Sequence, residues 1–241
     1  MNIDANTIVG DIVKVNFKTA QVLEKNKIDF CCGGGISLEE ACKKSSIDMT
    51  ALIPELEAIV EVNDPDSKYI DGLELDELCD YIEKRHHTYV RENIPFLQQK
   101  LQRLCEVHSE NHEELFEIKR LFDGAAENLS AHMQKEEMVL FPYIRKMVKF
   151  KRENILSGSE FGMAMGPINQ MEEEHQVEGE RFKIISELTK NYTCPPDGCN
   201  TFQVTYKTLQ DFENDLHRHI HLESNILFKK ALLLERVLMN Q

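Results

Sequence analysis

The sequence predicts an all-α protein in which a small helical N-terminal domain, residues 1–65, precedes a four-helix bundle, residues 70–241. Three observations carry this. The pattern HxxxExxxLF occurs twice, from His132 to Phe141 and from His219 to Phe228. Around each copy, and through two further long stretches, apolar residues recur at the spacing of one helical face. Turn-rich segments at residues 63–67, 151–165 and 193–199 separate these stretches.

In the first domain, Ile8, Ile12 and Val13 begin the apolar set. Residues 17–26 follow as a short amphipathic helix carrying Ala20 and Leu23. The chain then reaches Ile28-Asp29-Phe30-Cys31-Cys32-Gly33-Gly34-Gly35. Three successive glycines permit backbone conformations that other residues resist, so a tight turn that leaves two adjacent thiols uncrowded is expected. Ser37 and Glu40 form a capping box for the next helix, and Leu52, Leu56 and Ile59 mark the last helix of the domain. The Cys31-Cys32 pair admits two readings. Cysteine is often a small buried hydrophobe. A functional thiol pair would instead react with an oxidant or a nitrosating agent, or deliver a ligand to the metal domain, helped by a pKa lowered near a helix start.

The first bundle helix is expected over residues 73–106, with Leu75, Leu78, Ile82, Tyr89, Leu97, Leu101 and Leu104 as its apolar positions and a kink at Pro95. His86 and His87 are adjacent, about 100° apart, so only one can point fully inward. The helical wheel favours His86 in the first half of the helix and sets His87 at the stripe edge in the second, which leaves the choice open. His108 and His112 lie on the order of 30 Å further along and read as structural. The second helix, residues 113–150, holds the first HxxxE. After a loop containing Gly158, Ser159 and Gly162, Pro167 begins the third, in which His175 shares a face with Ile168, Met171 and Phe182. Cys194 and Cys199 stand in the turn before the fourth helix, at a spacing that admits a metal or a disulfide without requiring either. The fourth helix, residues 201–237, carries the second HxxxE.

Residues four apart on a helix lie one above the other, so each HxxxE aims an imidazole and a carboxylate at one point. In the first copy, His132 and Glu136 share a face with Ala125, Leu129 and Leu140. In the second, His219 and Glu223 share one with Phe212, Leu216 and Ile226, while His217 and His221 fall opposite. Such groups inside an apolar stripe must be paired or bound to metal, because burying them alone is costly. Two facing copies, with one histidine from each remaining helix, supply four nitrogens and two carboxylates for a pair of ions. This mixed ligation suits iron or manganese, with zinc also admitted. The absence of cysteine from the set argues against an iron-sulfur cluster, and the absence of HExxH against a zinc protease.

Composition excludes other classes. The net charge of −14, from 42 acidic and 28 basic residues with no basic cluster, argues against nucleic acid. No run approaches the roughly 18 apolar residues needed to span a bilayer, so no membrane partner is expected. The N-terminus MNIDANTIVG lacks the plan of a signal peptide, which points to the cytoplasm. Seven irregularly spaced cysteines do not make a disulfide framework there.

Together, Asp29-Phe30-Cys31-Cys32-Gly33-Gly34, His87 with Arg91-Glu92 and Pro95, HMQKEEMVLFP from His132, Ala164-Met165-Gly166-Pro167-Ile168 with Met171 and Glu174-His175, and HIHLESNILF from His219 resemble the iron-sulfur cluster repair di-iron family. Its members are hemerythrin-like proteins with a short N-terminal Cys-Cys domain. Gly35 extends the glycine run and Lys229 stands where the family usually has proline, but every ligand position is filled. The resemblance implies a hemerythrin-like four-helix bundle. Two non-heme iron ions, oxygen- or carboxylate-bridged, would be held by His87, His132, His175 and His219, with Glu136 and Glu223 as bridges. It selects His87 over His86. The implied function is repair of clusters damaged by nitrosative or oxidative stress through donation of labile iron, with Cys31 and Cys32 as a thiol site. Nitric oxide reductase or peroxidase turnover, and oxygen or nitric oxide sensing, are the alternatives. Expected partners are damaged or apo iron-sulfur proteins, and nitric oxide or oxygen as small ligands; a homodimer is left open.

Overall fold

The structure, a computed structural model, describes residues 1–155 and 160–240. Gly158 and Ser159, expected in a loop, lie outside the described residues. Every regular element among the described residues is a helix, and Ile8 and Ser37 make one isolated antiparallel bridge. None of these helices is long and apolar enough to cross a membrane. The helices are α1 Val9–Val15, α2 Thr19–Lys25, α3 Leu38–Ser45, α4 Met49–Val60, α5 Pro65–Asp71, α6 Leu75–Ile82, α7 Thr88–His108, α8 Glu114–Lys135, α9 Phe141–Glu153, α10 Met165–Leu188, α11 Asn200–His221 and α12 Phe228–Met239. Among the described residues, three wider turns of π geometry interrupt the rods: π1 Glu83–His87, π2 Glu136–Leu140 and π3 Leu222–Leu227.

The chain falls into two compact units whose boundary crosses α6, α9 and α11: residues 1–79, 144–164 and 220–241 form one, residues 80–143 and 165–219 the other. In the first unit, the hydroxyl of Ser37 accepts from the Glu40 N–H at 3.3 Å, and Asp48 caps α4 through the Thr50 N–H at 2.9 Å. Buried Asn16 closes the other end of α4, donating to the carbonyls of Ile59 and Val62 at 2.8 and 2.9 Å. The turn expected at residues 63–67 proves to be the start of α5. Asp64 precedes Pro65 at the first helical position, where proline is pre-organised. The Ser67 hydroxyl then donates to Asp64 at 2.7 Å and accepts from the Phe17 N–H at 3.0 Å, tying α5 to the segment after α1.

The glycine run acts through close approach. None of Gly33, Gly34 and Gly35 has a positive φ. A Cβ on Gly34 would lie 2.1 Å from the Phe30 carbonyl oxygen, whereas one on Gly35 would meet nothing within 4 Å. Gly34→Ala is therefore expected to destabilise the first unit by about 1–3 kcal/mol, and Gly35→Ala to leave the melting temperature nearly unchanged; thermal unfolding of both checks this. The loop is also held by buried Asn225 of π3, which donates to the carbonyls of Cys31 and Phe30 at 3.0 and 3.3 Å. Elsewhere in this unit, one oxygen of buried Glu235 accepts from the N–H groups of Gly162, Met163 and Ala164.

In the second unit, the rings of four helices meet at Phe212 of α11. Phe182 of α10 stacks on it at 5.6 Å, Phe122 of α8 meets it edge-on at 5.5 Å, and Tyr89 of α7 lies 6.2 Å away. These contacts define the helix bundle. α7 runs on through Pro95; the departure from α geometry in the first rod falls at Glu83–His87.

Candidate metal centre

Glu136 is the pivot. It is fully buried at the first position of π2, and no hydrogen bond from the described residues reaches either carboxylate oxygen. His87 Nε2 stands 3.3 Å from one oxygen and His132 Nε2 3.4 Å from the other. The atoms are close without hydrogen-bond geometry, the arrangement left when donors aim at a common point between them. His87, Glu136 and His219 each offer a ligand atom within 4.8 Å of the others, and so do His132, Glu136 and His175. One carboxylate is thus shared between two nitrogen pairs. Glu223, also buried, sits one helical turn after His219 in π3, on the first unit's side of the boundary.

Each wide turn carries one of these residues: His87 ends π1, Glu136 begins π2 and Glu223 is second in π3. Such turns are rare and concentrate at functional sites. His175 and His219 project from ordinary α-helix. The local burial follows the apolar stripes, for Ala125, Leu129, Leu140, Ile168, Met171, Phe182, Phe212, Leu216 and Ile226 are all buried.

Two further carboxylates set the histidines' tautomers. His87 Nδ1 meets Glu137 Oε1 at 2.7 Å, and Arg91 holds the same oxygen at 2.6 Å. His132 Nδ1 meets Glu174 Oε2 at 2.9 Å, and Lys135 bonds the other oxygen of Glu174. With the proton on Nδ1, each ring turns the Nε2 lone pair inward, as metal-binding histidines do. Burial works against ionisation of both carboxylates, but Arg91 and His87, and Lys135 with His132, outweigh it and hold Glu137 and Glu174 below the usual range. Reading the chain for ligands passed over these partners. Their signal was available: an acid stands beside Glu136 and another beside His175.

His86 and His87 are both buried, contrary to the expectation that only one could point inward. The wide turn at π1 removes the regular wheel on which that expectation rested. His86 bonds Asp215 at 3.0 Å and lies parallel to the His219 ring at 5.6 Å, packing beside the centre instead of joining the converging donors. Burial, which outweighs the Asp215 contact, lowers its pKa and favours the neutral ring. His221 is buried as well, though it faces away from His219; its ring packs 6.0 Å from Phe30 and 6.2 Å from Phe17 in the first unit. His219→Ala is expected to lower bound metal. His221→Ala should keep it and lose about 2 kcal/mol of stability. Metal analysis and thermal unfolding of the two variants separate the cases.

In the thiol loop, Asp29 Oδ1 accepts from the Cys31 N–H at 2.9 Å, and the sulfurs of Cys31 and Cys32 are 3.9 Å apart. Cys31 is buried and Cys32 half-buried. The Cys31 thiol is raised well above its usual pKa by its hydrogen bond to Cys32, then by burial and the Asp29 charge, opposite to the lowered value expected. Asp29, Cys31 and Cys32 also bring one ligand atom each within 4.8 Å of the others.

Comparison with known proteins agrees with this geometry. Residues 49–231 match the hemerythrin HHE cation binding domain, and residues 5–60 match a domain of unknown function, DUF542. The chain is 33% identical to the iron-sulfur cluster repair protein YtfE of an Enterobacter species over 224 residues, covering 93% of this chain and 96% of the relative. It is 30% identical to the iron-sulfur cluster repair protein ScdA of Staphylococcus haemolyticus, covering 93% and 97%. The chain belongs to the hemerythrin-like iron-sulfur cluster repair protein family. For a member of this family, the match over the bundle makes cation binding the shared property, and the buried donors around Glu136 are where the chain can meet it. A carboxylate buried without a hydrogen bond from the described residues and flanked by imidazole nitrogens fits a resident cation, since without one its burial would cost several kcal/mol.

Proposed function

We propose that this protein repairs iron-sulfur clusters damaged by nitrosative or oxidative stress, donating iron from a labile non-heme di-iron centre. The observation that carries the reading is the position of Glu136 between two nitrogen pairs, which suits two ions better than one. In this reading His87 and His219 would hold one ion and His132 and His175 the other, with Glu136 and Glu223 as the carboxylates that would complete the set. Iron, when bound, supplies the cargo and a redox-active metal. The chain's own residues do the remainder: Glu137 and Glu174 keep protons off the inward nitrogens, and the apolar stripes exclude water. The relatives' names support cluster repair as the task. Nitric oxide and oxygen are the small ligands that open positions would admit, apo or damaged iron-sulfur proteins are the acceptors, and the cytoplasm is the setting. We assign the thiol domain to residues 1–65 and the metal-binding bundle to residues 70–241.

The test is elemental analysis of anaerobically purified protein, followed by incubation with an apo-iron-sulfur enzyme. About two irons per chain that move to the acceptor and restore its activity are expected. Iron that stays bound would shift the function to nitric oxide chemistry or sensing. Zinc, or no metal, would overturn the di-iron reading.

A further inference from the structure

A second cluster of reactive side chains lies at the start of α11, within the second unit. Cys199 precedes the first residue of this helix and is exposed. His108, the last residue of α7, sets its Nε2 3.2 Å from the Cys199 sulfur. His112 does not compete for that sulfur, being held by Glu114 at 3.1 Å and Asp197 at 3.0 Å. Between the cysteines, the Gly198 N–H donates to the Pro195 carbonyl at 2.9 Å and folds the segment back on itself. A Cβ on Gly198 would come within 2.5 Å of the Cys194 sulfur, so glycine at this position leaves that sulfur its place beside the residue preceding Cys199.

The electrostatics agree with the geometry. The Phe202 N–H in the first turn of α11 and the His108 ring bring the Cys199 thiol down to about 7. Burial and the neighbouring Cys199 charge keep the Cys194 thiol above its usual value. Among the described residues, the groups of three or more metal-ligating side chains do not include this cluster, so thiol chemistry is the better use for it.

We propose that Cys199 is a peroxide-reactive thiol, with His108 as its imidazole partner and Cys194 as the thiol that resolves it to a disulfide. In the first step the Cys199 sulfur attacks one oxygen of hydrogen peroxide. An S–O bond forms as the O–O bond breaks, the sulfur is oxidised by two electrons, and the departing hydroxide takes the thiol's proton and leaves as water. In the second step the Cys194 sulfur attacks the sulfenic sulfur. The S–S bond forms, the S–O bond breaks, and the hydroxide leaves as water with the proton from Cys194. Two thiols and one peroxide thus yield one disulfide and two waters.

The experiment treats the full-length, metal-loaded protein with hydrogen peroxide, alkylates the remaining thiols and digests with trypsin. Cleavage after Lys190 and Lys207 releases residues 191–207 with both cysteines, whereas Cys31 and Cys32 fall in residues 28–43. The 191–207 fragment is expected to lose two hydrogens and to resist alkylation, at a rate at least about tenfold above oxidation of the 28–43 fragment. Cys194→Ser should stop at a sulfenic acid on Cys199 that dimedone traps, and His108→Gln should slow the first step about tenfold with the helical circular dichroism unchanged. Equal oxidation rates for the two fragments, or no dimedone adduct in Cys194→Ser, would overturn the proposal. An unchanged rate in folded His108→Gln would remove His108 from it.

Discussion

If the centre holds two irons as proposed, replacing Glu136 by alanine is expected to remove both at once, lowering bound iron from about two per chain to background. Loss of a residue serving one ion alone would leave the other in place. Glu136 differs because its two oxygens face different histidines, His87 at 3.3 Å and His132 at 3.4 Å. Removing the charge alone, with glutamine in its place, has an effect of opposite sign on the metal-free protein. There the wild type buries a carboxylate that no hydrogen bond from the described residues satisfies, so metal-free Glu136→Gln should be more stable than metal-free wild type by about 1–3 kcal/mol. Metal addition should then raise the melting temperature of the wild type and leave the variant unmoved. Calorimetry of both proteins, with and without iron, checks the sign. A variant that retains one full equivalent of metal would show that the carboxylate serves a single ion.

The double change Cys31→Ser, Cys32→Ser is expected to spare metal content and to cut iron transfer to an apo-iron-sulfur acceptor by about tenfold or more. The backbone of the loop does not depend on sulfur. Asn225 holds the carbonyls of Phe30 and Cys31, and Asp29 accepts from the N–H groups of Cys31 and Gly33. Serine in both positions therefore preserves the fold while removing the thiols. Because Cys32, burial and Asp29 push the Cys31 thiol up, reaction at Cys31 requires removal of its proton, and transfer that uses this thiol should quicken as the pH rises. Undiminished transfer by the double variant would make the loop a structural element.

The duplicated HxxxE motif made the candidate metal centre legible because helical spacing alone decides which face a residue takes, and the same spacing named the apolar stripes that bury it. Spacing could not choose between His86 and His87, since the regular wheel fails where a wide turn replaces an α-turn. The burial of His221 was hidden for another reason. A helix carries no mark of what will cover its second face, and here Phe17 and Phe30, from the other end of the chain, do so. Pro65 illustrates a third limit. Its neighbours have turn composition, but proline after aspartate also opens helices, and only the docking of Ser67 on Phe17 decides between them.

The wide turn Leu222–Leu227 also governs how the chain tolerates change in length. A π-turn accommodates one residue more than the α-turn it replaces, so removing one residue from this stretch would leave an ordinary helix with its two flanks still in phase, whereas removing one from the regular helix just after it would swing everything beyond by roughly 100°. In that second case Ala231, Leu234 and Leu238, now facing inward, would rotate toward solvent together. A one-residue deletion early in the last helix would thus dismantle the core of the first unit, while the same deletion within the wide turn would chiefly displace Glu223 and Asn225, which stand in it.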